Sequence, residues 1–356
     1  MENTFNLQNI VRTNIWNLKP YTSARDEYTG TATTYLDANE NAFGSPLPTA
    51  YNRYPDPYCT DLKQKLSTIK GVPPQHIFVG NGSDEAIDIL YRMVCEPAKD
   101  NVIICMPTYG MYSVSAAINN VAVIDIPLIN NFELDVEAII NAINTHTKII
   151  WICSPNNPTG NSMSKAAIEI LLKNFKGLIV IDEAYINYSQ QQSCISYLTQ
   201  YPNVVVLQTM SKAWGLAGLR VGMAYAATPI IALMNSIKPP YNVNQASQLL
   251  TLEALHNVSK VNGMITQIVT LRTNLTNALM ALPFVQTVYA SDANFVLVKI
   301  EDNHNATTIY NYLCNQGIVV RNRATAHNIN NCLRITVGTL AENELLLTTL
   351  THYKNN

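Results

Sequence analysis

Six short apolar runs between residues 77 and 226 decide most of what this chain can become. They are IFVG (Ile77 to Gly80), VIICM (Val102 to Met106), IIWIC (Ile149 to Cys153), LIVID (Leu178 to Asp182), VVVLQ (Val204 to Gln208) and VGMAYA (Val221 to Ala226). None alternates polar with apolar residues, so each needs cover on both faces, as strands of a largely parallel sheet have beneath helices. Helical patterns separate them, and this alternation predicts a doubly wound α/β domain.

The flanks have a different texture. Up to about Ala50 the chain reads as irregular, with turn signals at Lys19-Pro20 and at Gly44-Ser45-Pro46-Leu47-Pro48. Beyond Pro239-Pro240 one long helix is predicted from about Ala246 to Leu282. The alternating runs NFVLVKI (Asn294 to Ile300) and CLRITVG (Cys332 to Gly338) then point to a smaller α+β domain. For 356 residues two domains are expected. The expected divisions are 1–45 as an N-terminal arm and part of the small domain, 46–260 as the large domain, and 261–356 as the small one.

Composition narrows the partners. A net charge of −2 with 13% charged residues gives no field favouring nucleic acid or an anionic membrane. No apolar run approaches the roughly 20 residues of a membrane span. The opening MENTFNLQNIVRTNIW lacks the basic and apolar regions of a secretory signal. Seven cysteines without a C-x-x-C pair read as reduced thiols of a cytoplasmic protein. Six histidines without H-x-x-x-H or Cys/His grouping give no support for a metal.

In open α/β sheets, ligands bind beyond the carboxyl ends of the strands. The distinctive polar residues fall there: NGSDE after IFVG, PTYGMY after VIICM, SPNNPTG after IIWIC, EAY after Asp182, and TMSK after VVVLQ. Gly80-Asn81-Gly82-Ser83-Asp84-Glu85 reads either as a helix start capped by Ser83 or Asp84, or as an anion cradle of outward N–H groups. Asp182 closes an all-apolar strand, where a carboxylate is costly to desolvate without a cation or donor. It either caps the following helix or holds a proton on a ligand nitrogen. Lys212, beside Ser211, Ala213 and Trp214, is either a surface residue or an amine made nucleophilic by burial. Arg220 is either an ordinary surface ion pair or a fork for phosphate oxygens. Jointly the residues describe one ligand. It has a phosphate (Ser83, Asp84, Thr209, Ser211, Arg220), a basic ring nitrogen (Asp182), a phenolic oxygen (Asn157, Tyr185), a flat ring (Tyr109) and an aldehyde (Lys212). Pyridoxal phosphate has all five features.

An ordered set of motifs also resembles a known family. PYTSAR (Pro20 to Arg25), LDANENAFG (Leu36 to Gly44), RYPDP (Arg53 to Pro57), GNGSDEAIDIL, PTYGMY, CSPNNPTGN, IDEAYI, SKAWGLAGLRVG, PYN (Pro240 to Asn242), ANFVLV and LRITVGT span about Lys19 to about Leu350. SPNNPTG and SKxxGLxGLR are shared widely among transaminases, but the ordered set is specific. It resembles the fold-type I, class II pyridoxal-phosphate-dependent aminotransferases, and within them the histidinol-phosphate aminotransferase family.

The resemblance implies a large doubly wound, mixed but mostly parallel sheet domain with a smaller α+β domain. It implies ping-pong amino transfer between glutamate/2-oxoglutarate and histidinol phosphate/imidazole-acetol phosphate, by a cytoplasmic homodimer of histidine biosynthesis. Lys212 would be the Schiff-base lysine, Asp182 the partner of the pyridine nitrogen, Asn157 and Tyr185 the partners of the phenolic oxygen, and Tyr109 the stacking ring. Gly82, the Ser83 and Asp84 amides, Thr209 or Ser211, and Arg220 would hold the phosphate. Tyr54 would reach into the partner subunit's site and bind the cofactor there. Arg334 would grip the substrate's anionic group with Arg321 and Tyr21 as helpers, and Asn39 and Glu40 would line the mouth. Two positions depart from the family pattern: Ala42 stands where ENPFG has proline, and Trp214 where phenylalanine is usual. Two rival reactions share the motifs, decarboxylation of threonine phosphate and a broad aromatic-amino-acid transamination. A ligand-sensing regulator would need a DNA-binding module, and no helix-turn-helix pattern precedes Pro20.

Overall fold

The computed structural model describes residues 5–22, 30, 32–325 and 329–353. Its larger sheet has seven strands: β1 Ile77–Asn81, β2 Asn101–Met106, β3 Ala122–Pro127, β4 Thr147–Cys153, β5 Leu178–Asp182, β6 Val204–Thr209 and β7 Val221–Ala226. They lie in the order β1-β7-β6-β5-β4-β2-β3. Only β7 is antiparallel to its neighbours, so β1, β2, β4, β5 and β6 all point their carboxyl ends the same way. The reversal at β7 follows from its short connection. Met210 to Arg220 holds no crossover helix, only the 3-10 turn Ala217–Leu219, and a parallel return needs more chain.

The six apolar runs are six of these strands, and alternate side chains enter opposite cores. Val79, Ile103, Ile150, Ile179 and Val206 pack with α2 (Thr60–Lys70), α5 (Val136–Ala142) and α6 (Lys165–Asn174). Phe78, Ile104, Trp151, Val180 and Leu207 pack with α3 (Gly82–Val94), α4 (Met111–Ile118) and α7 (Thr228–Ile237). The seventh strand, β3, escapes sequence reading because it is a half-exposed edge strand, AVIDIP, with a charge in its middle. Part of the N-terminal segment packs on the large sheet. Leu7, Ile10 and Val11, just before α1 (Thr13–Trp16), are buried in the α3–α7 core of the large sheet and not with the small one.

The smaller sheet is antiparallel, in the order β10-β11-β9-β8, from β8 Val285–Val288, β9 Phe295–Ile300, β10 Arg321–Asn322 and β11 Cys332–Thr336. The single helix expected over 246–282 is two, α8 (Gln245–Ala254) and α9 (Val258–Met280). Asn257, a weak helix former, leaves helical geometry between them (φ −105°, ψ 34°). α9 runs through the division expected at residue 260. Its Val261 belongs to the large-sheet core, while Leu275 and Leu279 join α10 (Ala306–Asn315) and α11 (Leu340–Thr351) over the small sheet. The opposite face of the small sheet meets the large one where the Phe295 ring packs edge-on against Tyr185, centroids 5.2 Å apart.

Candidate active site

The joint between β1 and α3 sets one wall. Gly82 begins α3 at φ +73°, and its N–H donates to the Arg220 carbonyl at 2.8 Å. Neither Ser83 nor Asp84 caps the helix. Glu85 Oε2 instead accepts from the Asn81 N–H at 2.6 Å, leaving the first-turn residues facing the cavity. The joint is tight: a Cβ on Gly222 would stand 2.2 Å from the Gly82 carbonyl carbon and from the Ser83 nitrogen. Arg220, in the left-handed region at φ 55°, places Nη2 3.5 Å from Asp84 Oδ2. On the same return from β6 to β7, the Ser211 N–H donates to Thr209 Oγ1 at 3.1 Å.

Asp182, at the end of β5, is 2% exposed. Tyr112 donates its hydroxyl to Oδ2 at 2.7 Å, and the Ala184 N–H donates to Oδ1 at 3.0 Å. It caps no helix, since the following 3-10 turn, Ile186–Tyr188, has Tyr185 at its cap position. Among the described residues no cation lies within 4.0 Å of the carboxylate. Burial therefore pushes its pKa up from 3.8 to about 6, against the lowering effect of its two donors. Lys212 opens onto the cavity, with Nζ 5.6 Å from the Tyr185 ring centroid. Partial loss of hydration, then the Arg334 guanidinium, lowers its pKa from 10.5, and Asp182 opposes both. Tyr109 donates to Asp84 Oδ1 at 3.1 Å.

The small sheet supplies the facing wall. Antiparallel register sets Arg321 directly opposite Arg334. Arg334 donates Nη1 to Asn157 Oδ1 at 2.5 Å and lies 5.2 Å from the centre of the Phe295 ring.

These walls enclose a cavity of about 790 Å³. Every residue matched above to pyridoxal phosphate lines it except Tyr54, and Arg321 and Arg334 line it too. Tyr21, Asn39, Glu40 and Tyr54 do not. Tyr21 is exposed. Asn39 and Glu40 were expected at the mouth. The Glu40 carboxylate is instead committed to the RYPDP segment, accepting from Arg53 Nη1 and from the Tyr54 N–H, each at 2.6 Å. Tyr54 is half-exposed and stacks on Tyr241, centroids 4.5 Å apart. Ser23 to Arg25 of PYTSAR lie outside the described residues.

Two site residues were missed by the sequence reading. Tyr112, in the first turn of α4 three positions after Tyr109, meets the Tyr109 ring edge-on with centroids 5.6 Å apart and stacks on Trp151 with centroids 4.9 Å apart. Arg323 lines the cavity two positions after Arg321, the spacing that shares one face of a strand.

Residues 35–350 match the family described as aminotransferase class I and II. The chain belongs to that family. This aminotransferase is 51% identical over 349 residues to a histidinol-phosphate aminotransferase of Cytophaga hutchinsonii, covering 98% of this chain and 99% of the relative. It is 49% identical over 348 residues to one of Parabacteroides distasonis, with 98% and 99% covered. A solved histidinol-phosphate aminotransferase from Sinorhizobium meliloti, in complex with pyridoxal-5'-phosphate, superposes with a TM-score of 0.78 at 24% identity, over 88% of each chain. That likeness carries the fold.

Proposed function

We propose that this aminotransferase moves an amino group between glutamate/2-oxoglutarate and histidinol phosphate/imidazole-acetol phosphate, with pyridoxal phosphate held in the cavity. The observation that carries the reading is the convergence of Lys212, a buried Asp182 and the β1–α3 cradle on one cavity that Arg321 and Arg334 also enter. The near-full-length relatives support the substrate pair.

The residues present fit the cofactor. The cradle left open by Gly82, where a Cβ would lie 2.8 Å from Arg220 Nη2, suits a phosphate between the start of α3, Thr209, Ser211 and Arg220. Asp182 is a buried carboxylate with no cation within 4.0 Å among the described residues, and a protonated ring nitrogen would supply one. When bound, the cofactor supplies the electron sink for a substrate Cα that has lost its proton. Asp182, fixed by Tyr112 and the Ala184 N–H, holds the ring-nitrogen proton. Lys212 Nζ, its pKa lowered, takes the proton from the substrate Cα. Asn157 orients Arg334, which with Arg321 receives the anionic end of either substrate.

The active form in this reading is a cytoplasmic homodimer in which Tyr54 reaches the partner's cavity. Its place outside this chain's own cavity supports that role. All seven cysteines are unpaired, and no helix of the described residues is long and apolar enough to cross a membrane.

An absorbance titration tests the assignment. Glutamate added to the cofactor-loaded protein should convert the cofactor to its aminated form, and imidazole-acetol phosphate should reverse the change. No reversal would remove the phosphorylated substrate. Release of CO₂ from threonine phosphate without 2-oxoglutarate would replace transamination by decarboxylation.

A further inference from the structure

Arg323 is a cavity residue that the proposed chemistry has not used. The Arg323 N–H donates to the Cys332 carbonyl at 2.9 Å, continuing the ladder that pairs Arg321 with Arg334. Arg321 and Arg323 thus come from the edge strand and its extension, Arg334 from the neighbouring β11, and all three line the cavity. Among the described residues none has a carboxylate within 4.0 Å. The Nε atoms of Arg323 and Arg334 are buried without a hydrogen-bond partner. Burial, and then the charges of Arg334 and Arg321, push the Arg323 pKa down. Three like charges at close quarters, with buried donors unpaired by the protein, are costly to hold together, and an anion among them would relieve that cost.

We propose that Arg323 is a specificity residue, the third donor that tunes this pocket to a phosphate dianion over a carboxylate. Arg334 with one helper suffices for a monoanionic carboxylate, which has two oxygens to satisfy. A phosphate monoester presents three oxygens and a second charge, and a third guanidinium meets them. The inference rests on the proposed substrate pair, but its test need not.

The test uses the cofactor-loaded protein, with inorganic phosphate and succinate as competitive inhibitors of the glutamate half-reaction. Arg323→Gln should weaken inhibition by phosphate about tenfold or more, the loss expected for a charge-assisted contact, and inhibition by succinate by less than about threefold. Arg323→Lys, which keeps the charge but not the fork, should fall between. Equal losses for both anions, or no loss for either, would overturn the assignment. Thermal melts of each variant separate such losses from unfolding. If the wild-type protein fails to use histidinol phosphate, the proposed function falls, while the phosphate-to-succinate ratio still decides the role of Arg323.

Discussion

Asp182 shows how a single side chain ties chemistry to stability. Its folded pKa of about 6 lies above the ordinary 3.8, so between those values the folded cofactor-free protein holds a proton that the unfolded chain releases. Stability from this group is therefore greatest below about pH 4 and falls as pH rises through about 6. Asp182→Asn removes the ionisation, and the cofactor-free variant should gain on the order of 2 kcal/mol over wild type at pH 7, with a flatter dependence of Tm on pH between 4 and 6. The same variant should lose turnover, with a barrier raised by about 3 kcal/mol, for want of the charge that holds the ring proton. Matching pH slopes for the two proteins, or a near-normal kcat, would remove Asp182 from this position. Its importance was legible in sequence because a charge ending LIVID is conspicuous. Its link to Tyr112 was not, since that bond joins residues 70 apart and depends on how α4 packs against α3, β2 and β3.

At the scale of elements, the joint between β1, α3 and β7 is the most demanding. Gly80 pairs with Gly222 across the sheet, and the first turn of α3 lies against Gly222 with no space for a methyl group. Gly222→Ala should cost about 3 kcal/mol, because the atoms it meets are backbone and cannot rotate away. Cofactor affinity should fall as well, as the start of α3 is pushed from Arg220. A urea midpoint within experimental error of wild type would show that the joint has slack. Elements buried on both faces announced themselves, as the apolar runs of β5, β6 and β7 did. The half-exposed β3, the four-residue β8 and the two-residue β10 did not, because their residues carry too little periodicity to separate strand from loop. The register of β10 against β11, which aligns the arginines, is fixed only by tertiary pairing.

For the whole molecule, the N-terminal surface bears on assembly. Phe43 is fully exposed, Leu36 is 87% exposed, and Tyr54 stands on the same stretch of chain. Large apolar side chains exposed along one stretch of chain are candidates for cover by another chain. If Tyr54 completes the partner's site, Lys212→Ala and Tyr54→Ala are each impaired alone, and subunit exchange between them assembles one cavity free of both substitutions. A mixture refolded together should regain activity that neither variant has separately, and a mixture no better than its parts would place Tyr54 in its own chain's function. The path of α9 has another consequence. Its 23 residues reach about 35 Å, with Val261 seated in one core and Leu275 and Leu279 in the other. Each such aliphatic side chain contributes roughly 1.5–3 kcal/mol when buried. A cut at residue 260 would strip the large lobe of Val261 and leave the small lobe with a frayed, apolar stump. The two lobes therefore share one helix as a common beam, and any division within it gives one lobe a piece of the other's core.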